Sequence, residues 1–290
     1  MMSSIIGIDL GGTKTTVCRF TAGSFACEAE EQIATRAQEG LDATLGDCIE
    51  LAQTLKTKET TAVGIGLAGL IHQPDGIVMQ TPNIAKGSNV AVKGLLEKAV
   101  NLPVAVHNDA QCFALAEAVM GAGKGKKVVI GITMGTGVGG GIVIDGKVFH
   151  GSHGFAGEIG HMLLMPGKPP FETKDKRGEV EQFLSGTAMG KRCVDAKHPK
   201  DYLDGEVCEW MQPEIFREAA WLITNLTYLL DPDIIVFGGS AGTALKPHLK
   251  KIEAELQKWM LQGTLLPQLA VSTLKDAGAI GAAISTQQNN

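Results

Sequence analysis

No stretch of this 290-residue chain approaches the roughly 18 consecutive apolar residues that a membrane-spanning helix requires. The opening residues, MMSSIIGIDLGG, lack the basic segment, long apolar run and small-residue cleavage site of a secretory leader. No long Lys/Arg run offsets the formal net charge of −5. A nucleic-acid surface needs clustered cations to replace phosphate counterions, so nucleic acid is not expected as a partner. The six cysteines, at positions 18, 27, 48, 112, 193 and 208, include no CxC or CxxC pair. That excludes a zinc knuckle and a thioredoxin-like motif. The expectation is a soluble cytoplasmic protein with reduced thiols and no membrane contact.

What is present is an ordinary globular balance, 44% hydrophobic and 20% charged, over a length that fits two lobes of about 120–150 residues. Ser4–Leu10 reads as a strand running into Gly11-Gly12-Thr13, and the β-branched Thr15-Thr16-Val17 makes it a hairpin. Leu41, Leu45, Ile49, Ala52 and Leu55 recur at helical spacing over 40–56. Ala62–Leu67 and Leu102–Val106 read as strands, with a short helix over Val90–Val100 between them. Asn108 and Asp109 are helix-starting residues before the Ala-rich 110–119. GAGKGKK (121–127) has the character of a connection between lobes. Strands follow over Val128–Met134, Gly141–Ile144 and Lys147–His150, the last after an Asp145-Gly146 turn. MPGKPPFETKDKRG (165–178) reads as a surface loop. Helices are expected at 179–192, 213–230, 245–261 and 277–287, and a buried strand at Ile234–Phe237. Strands alternating with helices give an α/β class, and the hairpins make its sheets mixed rather than purely parallel.

IIGIDLGG (5–12) and VIGITMGT (129–136) share strand length, a glycine in third place and a glycine-rich turn. Their position at the start of each proposed half points to duplication. GIGLAG (64–69) and GTGVGG (135–140) match G-x-G-x-x-G, but a dinucleotide fold needs that pattern between a strand and a helix. Strand-like residues follow both, which argues against an NAD enzyme. A Gly/Thr hairpin turn fits an empty tight turn or a phosphate cradle, since backbone N–H groups without Cβ atoms can converge on an anion. Asp9 is compatible with a bonded turn residue or with an oxygen ligand holding water on Mg²⁺. Lys14 is compatible with a phosphate contact or with plain exposure.

DLGGTK (9–14), TPN (81–83), NDAQCFALAEA (108–118), MGTGVGGGIVIDG (134–146), GFAGEIGH (154–161), EQFLSG (181–186) and DPDIIVFGGS (231–240) together resemble the ROK family of sugar kinases and regulators. The resemblance implies a two-lobed actin-like ATPase (ribonuclease H-like) fold, with mixed sheets, helices on both faces and a cleft between lobes. It suggests a first lobe of 1–117 joined by 277–290, and a larger second lobe of 118–276. It implies Asp9, Gly11, Gly12, Thr13, Lys14, Gly135, Thr136 and Gly137 at the ATP phosphates, with Mg²⁺ held by Asp9 through water. Gly238, Gly239 and Ser240 would lie near the adenosine. Asn83, Asn108, Asp109, Glu158, His161 and Glu181 would hold sugar hydroxyls, Asp109 being the general base.

The implied reaction is ATP-dependent phosphorylation of a hexose or N-acetylhexosamine at O6. A sugar-responsive regulator without catalysis and a sugar-independent actin-like ATPase are the rival readings. Similar kinases often form homodimers. Many relatives carry a zinc-binding cysteine cluster after GEIGH; residues 162–182 contain no cysteine, so zinc is not expected. Nothing before Ser4 suggests a helix-turn-helix domain, which disfavours the regulator.

Overall fold

The computed structural model describes residues 3–196, 201–204 and 206–288. The chain begins with β1 (Ser4–Leu10), β2 (Lys14–Thr21), β3 (Cys27–Ala34), α1 (Leu41–Leu55) and β4 (Thr60–Leu67). Then come β5 (Leu70–His72), β6 (Ile77–Gln80), β7 (Val90–Ala91), α2 (Val92–Val100), β8 (Val104–Asn108) and α3 (Asp109–Val119). Strands β9 (Val128–Met134), β10 (Val138–Ile144) and β11 (Lys147–Val148) precede a 3₁₀ turn at Ile159–His161. The rest comprises α4 (Glu181–Leu184), α5 (Gly186–Arg192), α6 (Asp201–Asp204), α7 (Gln212–Leu230) and β12 (Ile234–Gly238). Helices α8 (Gly239–Ala244) and α9 (Leu249–Leu256), β13 (Gln268–Val271) and α10 (Ala277–Ser285) complete it.

One compact unit comprises Met1–Ala116, Lys147–Ala156 and Leu274–Asn290. Its assignment of Lys147–Ala156 differs from the division drawn on the sequence. Its main sheet has the order β3-β2-β1-β4-β8. The β1–β2 hairpin is antiparallel, and β4 and β8 add in parallel. Ile6, Ile8, Leu10, Val63, Ile65 and Leu67 join Leu41, Leu45 and Leu96 in one buried core. Helix α10 packs on β1 and β4. A Cβ at Gly64 would stand 1.7 Å from the Ala282 carbonyl oxygen, so only a hydrogen fits between strand and helix backbone. Strand β3, CEAEEQIA, is mostly exposed at the sheet edge and carries no apolar alternation; the sequence gives no sign of it.

The second unit comprises Glu117–Gly146 and Gly157–Thr273. Here β10-β9-β12-β13 run in that order, an antiparallel hairpin extended by two parallel strands. The series β2-β1-β4-β8 has the same sense at every step, so the sequence repeat is matched by a repeat of topology. Helix α7 buries Ile215, Ala219, Leu222, Ile223 and Leu226. It stops at Asp231, which adopts a left-handed conformation (φ 45°).

The helix expected over 179–192 is broken in two. Ser185 is extended (φ −72°, ψ 154°), and its Oγ accepts the Ala188 N–H at 3.0 Å, capping α5. The helix expected over 245–261 is a 3₁₀ turn, Lys246–His248, followed by α9 ending at Leu256. The reduced-thiol expectation fails for one pair: Cys193 and Cys208 form a disulfide, with Cα atoms 6.1 Å apart. Pairing was set by the approach of the α5 end to Glu206–Met211, which sequence spacing does not reveal. Cys18, Cys27, Cys48 and Cys112 are free.

Candidate active site

In the first unit, the expected site residues gather at the ends of β1 and β8. The turn after β1 is closed by the Gly11 N–H donating to the Lys14 carbonyl (3.0 Å). Thr35, which the sequence did not single out, braces it: its Oγ1 donates to the Gly11 carbonyl (2.8 Å) and its N–H to the Thr13 carbonyl (2.9 Å). Asn83 lies beside this turn, its Cβ 3.0 Å from where a Gly12 Cβ would be. Lys14 is exposed at the start of β2.

Asp109 is the first residue of α3. Asn108 caps that helix, its Oδ1 accepting the N–H groups of Ala110 (2.9 Å) and Gln111 (3.3 Å). Its Nδ2 donates to the Gly69 carbonyl (3.1 Å), so Asn108 fixes the backbone from which Asp109 projects. Asp109 Oδ1 accepts the Ala110 N–H at 2.9 Å. Burial raises the pKa of Asp109 above the ordinary carboxylate value, against the lowering effect of the Ala110 N–H and its own backbone N–H. Asp9 is pushed up to about 7, first by burial and then by the negative charge of Asp109, with Lys14 pulling the other way. Two electrostatically coupled carboxylates, each with enhanced proton affinity, thus sit in one unit beside a glycine turn.

In the second unit, the β9–β10 hairpin holds Gly135, Thr136 and Gly137 at its turn. This disposes of the dinucleotide pattern, because a strand and not a helix follows it. The Gly135 carbonyl accepts the Gly186 N–H (2.7 Å) at the start of α5. Glu181 faces the same turn, its Oε2 accepting the Val138 N–H at 2.9 Å. A Cβ at Gly137 would lie 2.3 Å from that oxygen. Gly238 ends β12, and Gly239 and Ser240 begin α8, alongside the end of β9.

Glu158 precedes and His161 ends the 3₁₀ turn packed against β10, where a Cβ at Gly160 would stand 2.0 Å from the Val138 carbonyl oxygen. His161 Nδ1 lies 3.1 Å from Glu179 Oε2, and Arg177 Nη1 lies 2.7 Å from Glu179 Oε1. Glu179 was missed on the sequence; its only signal there is an acid two residues before Glu181, directly after the 165–178 loop. A separate cavity of about 140 Å³ in the first unit is lined by Gln73, Lys93, His107 and Thr286 among others, and by none of the expected site residues.

A family model described as "ROK family" matches residues 5–289. The chain belongs to the ROK family. Among curated ROK relatives, it is 31% identical to a glucokinase of Halalkalibacterium halodurans, over 98% of this chain and 96% of that one. It is also 31% identical to the N-acetylgalactosamine kinase AgaK of Shewanella sp. strain ANA-3, over 96% and 95% of the two chains. Among solved structures, it resembles a ROK family glucokinase from Streptomyces griseus in complex with glucose and AMPPNP. That likeness has a TM-score of 0.79 and 28% identity, covering 99% of this chain and 100% of that one. The fold of this ROK chain is the actin-like ATPase fold, with mixed α/β sheets. No helix among the described residues is long and apolar enough to cross a membrane.

Proposed function

We propose that this chain transfers the terminal phosphoryl group of ATP to a hexose or N-acetylhexosamine, with O6 as the acceptor oxygen. The relatives' names support the substrate class, and the AMPPNP complex of a relative supports ATP. The observation that carries the chemistry is Asp109, a carboxylate with raised proton affinity at the start of a capped helix. A sugar hydroxyl becomes a competent nucleophile when such a group accepts its proton as the new O–P bond forms.

In this reading Gly11, Gly12, Thr13, Lys14, Gly135, Thr136 and Gly137 bind the phosphates, and Gly238, Gly239 and Ser240 the adenosine. Asn83, Asn108, Glu158, His161 and Glu181 hold the sugar, each hydroxyl both donating and accepting. Magnesium fits Asp9, a hard oxygen donor whose ionisation is opposed by burial and by Asp109, an opposition that a divalent cation offsets. When bound it would neutralise phosphate charge, Asp9 holding it through water. Zinc has no part in this reading, because residues 162–182 supply no thiolate beside His161. The activity belongs in the cytoplasm, where ATP is supplied, and nucleic acid plays no role.

A coupled ADP-release assay over hexoses and N-acetylhexosamines tests the proposal, with NMR of the product to locate the phosphate. Asp109→Asn should lose at least about 10³-fold in turnover, in line with the removal of a general base, while sugar binding survives. Near-normal turnover in that variant would refute the role. ADP release without sugar would favour the ATPase reading, and sugar binding without ADP release the regulator.

A further inference from the structure

We propose that Glu179 is a positioning residue that locks the His161 ring in the Nδ1–H tautomer, presenting Nε2 as a hydrogen-bond acceptor to the sugar; this rests on the reading of His161 as a sugar ligand. The backbone supplies the alignment. The Val180 N–H donates to the Met162 carbonyl (2.8 Å), and the N–H groups of Leu164 and Met165 donate to the Gly178 carbonyl (2.8 and 3.1 Å). Leu163 and Glu179 form an antiparallel bridge. The chain leaving the His161 turn is therefore clipped against the chain entering α4. Gln182 secures the clip from the α4 side, its Oε1 accepting the N–H groups of Gly178 (2.7 Å) and Glu179 (3.2 Å).

The Glu179 side chain is only 7% exposed, whereas those of His161 and Arg177 are 57% and 58% exposed. It is thus a buried carboxylate with a cation on one oxygen and an imidazole on the other. An ionised carboxylate has only lone pairs to offer, so the nitrogen facing it must carry the hydrogen. Once Nδ1 is committed, Nε2 of the neutral ring is left as an acceptor. A sugar hydroxyl can donate to it and still accept from another partner. Arg177, paired to the second oxygen, limits the rotation of the carboxylate. Glu181, two residues further on, is turned to the Val138 N–H of the glycine turn. One short segment thereby reaches the His161 turn through Glu179 and the β9–β10 glycine turn through Glu181.

The test is ring-¹⁵N-histidine NMR of the full-length protein at about pH 8, above the ordinary histidine pKa of about 6.5, with sugar kinetics on the same samples. In the wild type, His161 should show a protonated Nδ1 and a bare Nε2. Glu179→Ala should lose that fixed pattern and raise the sugar KM roughly 10- to 100-fold, as expected for losing a charge-assisted hydrogen bond, with kcat and the ATP KM within about twofold. Glu179→Gln, which keeps an acceptor oxygen, should recover the tautomer and most of the KM. It also serves as the folded comparison should the alanine variant melt at low temperature. A bare Nδ1 in the wild type, or an unchanged sugar KM in a folded Glu179→Ala with the tautomer lost, would overturn the proposal. His161→Ala separates the two readings. If that variant leaves the sugar KM unchanged, His161 is no sugar ligand, and a tautomer lock seen by NMR would stand as structure alone.

Discussion

At the scale of single residues, Asp9 gives the clearest pH signature. Its pKa is about 7 in the folded chain against an ordinary 3.8. Between those values the folded state keeps a proton that the unfolded state has released, so its contribution to stability falls as pH rises through the window and levels off above about 7. At about 1.4 kcal/mol per pH unit, Asp9→Asn should gain roughly 2–3 kcal/mol on the wild type between pH 5 and 8. Urea melts at each pH measure that gap; a gap independent of pH would show that Asp9 is not held protonated. Magnesium-ATP should flatten the wild-type trend, because a cation favours the ionised carboxylate. The residue types at this site were legible in the sequence because DLGGTK and the Asn108-Asp109 helix start carry their chemistry locally. Thr35 and Glu179 were not legible: each acts on a partner distant in sequence, Gly11 and His161, through a contact that only tertiary folding creates.

At the scale of elements, the α5–α7 contact is held by an ion pair. Arg192 Nη1 and Nη2 meet Glu218 Oε2 and Oε1 at 2.7 and 3.0 Å, and Nη2 also meets Glu214 at 2.9 Å. Arg192 and Glu218 side chains are 4% and 6% exposed. Burial raises Glu218 to about 7 despite the guanidinium. Arg192→Ala, which strands that carboxylate, should cost roughly 3–5 kcal/mol by urea denaturation, whereas the double change to methionines should recover most of it. The close approach of α10 to the first sheet makes a second prediction. Gly64→Ala should cost about 3 kcal/mol through backbone displacement, while Gly94→Ala, in open space within α2, should gain up to about 1 kcal/mol. Elements with strong apolar periodicity, such as α1 and α7, were readable. The 179–192 region was misread because the pattern stays helical across Ser185, and only the cap at Ala188 reveals the break.

For the molecule as a whole, the repeated sheet topology explains why two short glycine-rich strands at an offset of 124 residues were informative: each opens the central strand of its own sheet. The polar edge strand β3 and the short β13 escaped the sequence reading, since neither carries a strong apolar pattern of its own. Ligand should stabilise the chain by mass action. At a hundredfold excess over Kd, a sugar substrate should add about 2.7 kcal/mol, read as a rise in Tm, and a non-substrate hexose should add nothing.

The first sheet is assembled from the earliest part of the chain, yet its floor over Gly7 and Gly64 is roofed by α10, which leaves the ribosome long afterwards. During synthesis that greasy underside has no cover of its own. The nascent protein must either wait with it bare or borrow a chaperone, and its first half cannot be finished until the second has been made.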